Sequence, residues 1–465
     1  MTRFHTTVSR REFMKGLGLA GSGLGAASVI GANFTDLDEM VVANNAGIGN
    51  PWWVQEREAY NPTNGVDWDF IKPFAPDFQG YRFGIKEGDP FPEVRSQWEL
   101  AQLKANAPGM SLRDIALDEG WLFARRNSTA NGLYQVDFTG EKVTTPEERG
   151  VPRYSASQEE ASKVVRAALH NYGSPRVGFL EFDERIQNLI VGAGNARIED
   201  VDEAYMDGSV HVIPRKCKWL IVANVWQSIP HTKFGDHTQD PPADQVKLNV
   251  GSTNGYSTAT IITRRLQRFI KSLGYQALGG YGTGPVSYNV AAGIMAGLSE
   301  LSRNAHQLTP DVGTIVRVAI CTITDLPLEP TKPIDSGMHK FCYTCKICGE
   351  VCPWDSIDMD TDPSFDIPTN NTWTRPGYSR WAMNFIKCHG CPHCDASCPF
   401  GTPGAASIHD VVRATVSTTS LFNGFFTNMD KFMGYGQSQA YDEWWDRDLK
   451  ANNNDTILNA ATVKA

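Results

Sequence analysis

Apolar positions between about residues 150 and 325 recur with two periods, and together they predict a succession of helices and strands. The stretch SASQEEASKVVRAALHNYG reads as a capped helix that ends at Gly173, and KWLIVANVW, around Leu220, as a buried strand. After Thr258, residues Ile262, Leu266, Phe269, Ile270 and Leu273 fall on one helical face, with Gly274 as the stop. A second helix is predicted from Ala291 to about Arg303. Beyond the turn at PDVG, TIVRVAICTIT alternates like a strand with Cys321 inside it. This is an α/β rhythm. From Asn50 to about Trp98 the chain is rich in aromatics and turn formers without a sustained period, which predicts an irregular wrapping segment. The Pro-rich stretch Asp325–Gly337 can hold neither a ladder nor a helix, and a domain boundary is placed there.

At 465 residues and 41% hydrophobic the chain is long enough for about three domains with buried cores. Its net charge of −9 provides no cationic field for phosphates, so nucleic acid is not expected as a partner. The first 15 residues carry Arg3, Arg10, Arg11 and Lys15 against Glu12, and a charge-free Gly/Ala-rich run follows over 16–32. That layout, with SRREFMK from Ser9, is similar to a twin-arginine export signal, read by a translocon that carries folded proteins. Cleavage is expected between about residues 32 and 47. Beyond it no run of 18 apolar residues occurs, so the mature chain is expected to be soluble or peripheral. The leader strings GLGLAG and GSGLG mimic a dinucleotide fingerprint, but no strand precedes them.

Eight of the ten cysteines lie between Cys342 and Cys398. CYTCKICGEVCP and CHGCPHCDASCP both follow C-x2-C-x2-C-x3-C-P, the two-cluster ferredoxin spacing, in which the fourth Cys serves the other cluster. By that rule Cys342, Cys345, Cys348 and Cys398 hold one [4Fe-4S] cluster, and Cys352, Cys388, Cys391 and Cys394 the second. Disulfides would be strained at two-residue separation, and zinc does not require Pro after each fourth Cys. Cys217 and Cys321 have no motif around them and read as buried thiols. His231, Asp236, His237 and Asp240, in IPHTKFGDHTQD, read as a solvated loop rather than a metal site.

The segment AGLSELSRNAHQLTPDVGTIVRVAICTITDLPLEPTKPIDSGMHKFCYTCKICGEVCP resembles the core signature of corrinoid-dependent reductive dehalogenases of organohalide-respiring bacteria. The twin-arginine leader, the CPF ending at Phe400, and the tail from His409 through LFNGFF and MGYG to Trp444 and Trp445 also resemble that family, especially its Chloroflexi members. The resemblance implies an α/β (α+β) fold, with a nitroreductase-like corrinoid-binding core and a bacterial two-[4Fe-4S] ferredoxin-like domain. It divides the chain into a leader (1–46), a wrapping unit (47–149), the corrinoid core (150–330), the cluster domain (331–407) and a C-terminal segment packing back on the core (408–465).

The implied cofactors are a base-off corrinoid (cobalamin) and the two clusters. Consistent with base-off binding, no D-x-H-x-x-G string occurs. The implied partners are a small apolar organohalide, a small integral-membrane anchor protein and a membrane-associated electron donor, at the outer face of the cytoplasmic membrane. The family's proton donor is a Tyr with a neighbouring cation, and the matching positions are Tyr256 in NGYSTAT, placed just before the amphipathic helix, and Arg303 in LSELSR. Tyr275, Tyr281 and Tyr288 compete for the first role. Two other functions are compatible with paired clusters: an epoxyqueuosine reductase-like cobalamin enzyme, disfavoured by the leader and the acidic charge, and a non-catalytic exported electron carrier.

Overall fold

The computed structural model describes residues 50–51, 53–75, 81–82, 85–86, 91–113, 137–233, 250–366, 375–385, 387–388, 390–401, 407–434 and 445–446. The proposed leader, Asp236, His237, Asp240 and, in the C-terminal tail, residues 435–444 and 447–465 lie outside the described residues.

Four strands form the central sheet, in the order Arg176–Glu181, Trp219–Trp226, Val316–Thr324, Ala277–Leu278. Every pairing in it is antiparallel, so the α/β rhythm resolves into an α+β fold and not a parallel sheet with crossover helices. Side chains alternate across a strand. Leu220 and Val222 therefore face one core with Ile186, Leu189, Ile190, Ala292 and Met295, while Ile221, Ala223 and Val225 face another with Val165, Leu169, Ile262, Leu266 and Ile270. Helices cover both faces. A bulge between Val318 and Ile320 shifts the register of the third strand against its neighbour Trp219–Trp226.

The helix Gln158–Tyr172 begins where Ser157 Oγ accepts from the Glu160 N–H at 3.2 Å and ends at Gly173, whose φ of 107° suits only Gly. The long helix Val250–Ser272 starts earlier than its apolar periodicity indicates. Its first turns carry Gly251, Ser252, Thr253, Asn254, Gly255, Ser257 and Thr258, all buried, so hydrophobicity alone did not mark them. Tyr256 consequently lies inside this helix, not before it. The helix expected from Ala291 to Arg303 instead spans Asn289–Met295 and stops at Gly297, with φ 74°. The chain then forms a short antiparallel pair, Glu300–Leu301 with Gln307–Leu308, which turns Arg303 away from the sheet.

The wrapping segment is partly ordered: Phe91–Lys104 is helical, Gln55–Glu56 pairs with Ile334–Asp335, and Trp53 and Ile71 enter separate cores. The Pro-rich stretch is anchored, since Leu326 and Leu328 are buried under the sheet and Thr331 Oγ1 donates to the carbonyl of Ala296 at 2.6 Å, and against expectation its end holds a short ladder, Ile334–Asp335 with Gln55–Glu56. The helices Ser407–Thr418 and Asn423–Met433 make their apolar contacts, through Val416 and Phe426, with Met338, Phe341 and Cys345. They thus pack on the first cysteine run, whereas the sequence reading had them packing back on the corrinoid core. Among the described residues no helix is long and apolar enough to cross a membrane.

Glu300 is fully buried, bonded to the Ser336 N–H at 3.0 Å and to the Ser336 hydroxyl. Burial pushes its carboxyl from 4.5 up to about 7 against these bonds. Between those values the unfolded chain has released its proton and the folded chain has not, so stability falls as pH rises through the window, by about 3 kcal/mol in total. Glu300→Gln is expected to remove that slope, read as the difference in urea midpoint between pH 4.5 and pH 7.5. An unchanged slope in the variant would assign the pH dependence to other groups.

Candidate functional site

The first cysteine run begins on the helix Met338–Cys345, which carries Cys342 and Cys345. Lys346, at φ 58°, breaks it and re-aims the chain into Ile347–Glu350, which bears Cys348, with Cys352 just beyond. In the second run Cys388 and Cys391 lead into the short helix His393–Ala396, which holds Cys394, and Cys398 follows. All eight are free thiols, each buried or half-buried. Burial is the main influence on them: it pushes Cys342 and Cys391 up to about 12, Cys388 up to about 11, and Cys345, Cys348 and Cys394 well above the usual thiol range.

After burial, like charge on neighbouring sulfurs resists ionisation, and these neighbours sort the cysteines. Cys345 is opposed by Cys342, Cys348 and Cys398; Cys348 is opposed by Cys342 and Cys398. Cys391 is opposed by Cys388 and Cys352, and Cys394 by Cys391 and, from the first run, by Cys348. The fold thus brings the two runs together, with Cys398 beside Cys342, Cys345 and Cys348, and Cys352 beside Cys388 and Cys391. Four buried thiols cannot ionise together unless a polycation lies among them, so the donor set fits iron-sulfur clusters. Gly313, at φ 57°, lets its loop pass close to Cys398: a Cβ there would lie 2.9 Å from the sulfur and 2.9 Å from the Gly401 nitrogen.

A second constellation adjoins Cys394. The next residue, Asp395, is buried, and its carboxylate faces His306 Nδ1 at 2.7 Å, Asn304 Nδ2 at 3.2 Å, Gln227 Nε2 at 3.4 Å and an Arg317 nitrogen at 3.5 Å. Burial alone would raise this carboxyl, but His306 and Arg317 outweigh it and hold it at about 2. The Arg317 guanidinium also lies 5.7 Å from the centroid of the Tyr256 ring. Burial opposes its charge, yet Tyr256, Asp395 and Cys394 together keep its pKa above the ordinary Arg value. The Tyr256 ring stacks on Tyr281 at 5.0 Å between centroids and 18° between planes. Gly255, beside it, is the close-approach point: a Cβ there would lie 3.5 Å from both Arg317 and Gln227. The fold therefore links Cys394, Asp395, Arg317 and Tyr256 in one buried line.

Tyr256 and Arg303 are not brought together as a pair. The Arg303 guanidinium is spent on main-chain carbonyls: Cys342 at 2.8 and 3.1 Å, Asp358 at 2.7 Å and Asp360 at 2.8 Å, with Trp381 under it at 4.5 Å. The short pair at Glu300–Leu301 directs it to the first cysteine run, and the cation beside Tyr256 is Arg317. The sequence did carry a signal for Arg317, the sole charge within the alternating strand TIVRVAICTIT. Among the competing tyrosines, the Tyr275 hydroxyl donates to the Tyr154 carbonyl at 2.7 Å and the Tyr288 hydroxyl to the Phe74 carbonyl at 3.1 Å, both as braces. His231 is buried, so the described part of its segment is not the solvated loop expected. Cys217 and Cys321 are buried thiols, each pushed up to about 12 chiefly by desolvation.

The same constellation bears on the corrinoid implied by the resemblance. Asn254 Oδ1, Gln227 Oε1 and Arg317 Nε are buried and have no hydrogen-bond partner in the structure. Grouped where the Gly, Ser and Thr face of the long helix meets the sheet at Gly255, they fit a large group edged with amides, as a corrinoid is.

Comparison with known proteins agrees with this arrangement. Residues 50–198 match the family described as reductive dehalogenase subunit, and residues 341–402 match the 4Fe-4S dicluster domain. The chain is 28% identical to a chloroethene reductive dehalogenase of Dehalococcoides mccartyi (strain VS), over 96% of this chain and 98% of that protein. It is 30% identical to a tetrachloroethene reductive dehalogenase of Sulfurospirillum multivorans over 50% of this chain and 46% of that one. A solved catabolic reductive dehalogenase shares the fold with a TM-score of 0.56 at 19% identity, covering 84% of this chain and 51% of that one, so the chain spans about half the length of that protein. Another solved reductive dehalogenase, whose structure is said to suggest a mechanism for B12-dependent dehalogenation, has a TM-score of 0.52 at 18% identity, covering 84% of this chain and 50% of that one. With its cysteine runs, its α+β sheet and its near full-length relatives, the chain belongs to the reductive dehalogenase family and is an oxidoreductase.

Proposed function

We propose that the chain is the catalytic subunit that replaces chlorine by hydrogen on a small chlorinated hydrocarbon, of the chloroethene kind named for its Dehalococcoides relatives. The reaction is R–Cl plus two electrons and a proton giving R–H and chloride. The observation that carries it is the buried line from Cys394 through Asp395 and Arg317 to Tyr256, which joins an electron entry to a proton source. A mere electron carrier needs no such phenol. The α+β sheet region is assigned to a nitroreductase-like core, and the orphaned polar atoms of Asn254, Gln227 and Arg317 to the edge of a base-off corrinoid. When bound, that group supplies a strongly reducing cobalt able to cleave carbon–halogen bonds.

The protein's own residues do the rest. Tyr256 holds the proton at its hydroxyl, and Arg317 beside the ring favours the phenolate left after transfer. Asp395 keeps Arg317 in place from the far side, and Tyr281 holds the ring plane by stacking. The two cysteine groups hold the clusters that relay the electrons. Export by the twin-arginine translocon, a peripheral seat on the outer face of the cytoplasmic membrane, a small membrane anchor and a membrane-associated electron donor complete the proposal, supported by the leader's SRREFMK.

Anaerobic protein loaded with corrinoid is expected to contain about one cobalt for about eight irons and to release chloride from chlorinated ethenes. Iron without cobalt, and no chloride, would leave an electron carrier. Tyr256→Phe is expected to lower chloride release by about 10²-fold or more at unchanged iron and cobalt, and near-normal turnover would remove Tyr256 as donor. Arg317→Leu should also depress turnover, with Arg317→Lys restoring part of it; equal rates in the two variants would argue that its charge is not used. Cys398→Ser is expected to cost about four irons, those of the cluster that Cys342, Cys345 and Cys348 share. Loss of the other cluster instead would disprove the crossed ligation.

A further inference from the structure

The two cysteine groups sit in different electrostatic surroundings. Beside the group of Cys342, Cys345, Cys348 and Cys398 lies Arg303, which is 1% exposed. Its main-chain N–H donates to the Cys342 sulfur, and its guanidinium, tied to the Cys342 carbonyl by two nitrogens, acts on Cys342 and Cys348. The carbonyls of Asp358 and Asp360 and the face of Trp381 fix that cation from the other sides, and among the described residues no carboxylate pairs with it, although the buried Glu300 carboxyl acts on Cys342 in the opposite sense. A second cation, Lys233, donates to the Ala396 carbonyl and acts on Cys398. Beside the other group lies Asp395, an anion acting on Cys388, Cys391 and Cys394, with Arg317 and His306 offsetting it in part.

A cluster gains negative charge when it is reduced, so a fixed buried cation favours the reduced form and a fixed buried anion disfavours it. Arginine remains charged at any working pH and cannot escape by losing its proton. We infer that Arg303 is a positioning residue for electrons: through its fixed charge on Cys342 and Cys348 it sets the cluster of Cys342, Cys345, Cys348 and Cys398 at a higher reduction potential than its neighbour. That cluster then fills first, and the one next to Asp395, Arg317 and Tyr256 is the stronger reductant facing the proposed site. Arg303 thereby has a role in the electron path in place of the proton-transfer role that its sequence position suggested.

The inference rests on the two-cluster reading, and one experiment separates their failures. The corrinoid-loaded full chain is titrated with reductant while each cluster is followed by electron paramagnetic resonance. Fewer than about eight irons, or a single couple in the unaltered protein, would defeat the two-cluster reading itself. With two couples present, Arg303→Gln is expected to lower the higher couple by at least tenfold in its equilibrium constant, about 59 mV for one electron, and leave the lower couple in place. Arg303→Lys, which keeps the charge but loses the forked bonds, is expected to retain most of the higher potential. If neither couple moves, if the lower one moves instead, or if the Gln and Lys variants shift alike, the inference is overturned. Loss of iron to the same extent in both variants would overturn it too, making Arg303 a scaffold for the Cys342 loop and nothing more.

Discussion

A single buried carboxylate organises the centre of this protein. Asp395 lies next to a cluster cysteine in an interior from which water is excluded, where an unpaired anion would cost several kcal/mol. Its four donors come from three separate parts of the chain: Gln227 from the end of a sheet strand, Asn304 and His306 from the turn after Glu300–Leu301, and Arg317 from the third strand. Satisfying one charge therefore draws the sheet, that turn and the second cysteine run to a common point. Removing any one donor leaves the carboxylate less well compensated in a low-dielectric site.

The polar start of the long helix follows from the same centre. A helix face of Gly, Ser, Thr and Asn gains little from apolar burial, and at this position it is buried nonetheless. Gly255 lets Gln227 and Arg317 approach the helix, and Tyr256 is thereby brought to the cation that Asp395 holds. The apolar second half, with Ile262, Leu266 and Ile270 packed on the sheet, anchors the helix so that its polar first half can be devoted to the site.

The two arginines show how charge is apportioned. Arg303, buried, and Arg317, half-buried, are both cations near cysteine sulfurs, but the hydrogen bonds of one go to main-chain carbonyls and the other is paired with a carboxylate. Carbonyl oxygens satisfy hydrogen bonds while leaving the full charge; a carboxylate removes most of it at a distance. Two environments of different net charge thus arise a short way apart.

Much of this was written in the chain. The cysteine spacing already marked a 4Fe-4S dicluster domain, because a loop of two intervening residues can bring three sulfurs to one face and sends the fourth elsewhere. The capped helix ending at Gly173 and the strands around Leu220 and Cys321 were likewise legible, since their periodicity and stop residues act locally. Only the tertiary structure decided which cation meets Tyr256. Arg303 and Arg317 lie 14 residues apart along the chain, and their destinations depend on where Gly297 ends a helix and how Glu300–Leu301 turns, which no local pattern records. The antiparallel sheet, the buried polar half of the long helix and the seating of the C-terminal helices on the cysteine run were also decided there, because each depends on pairing partners distant in sequence.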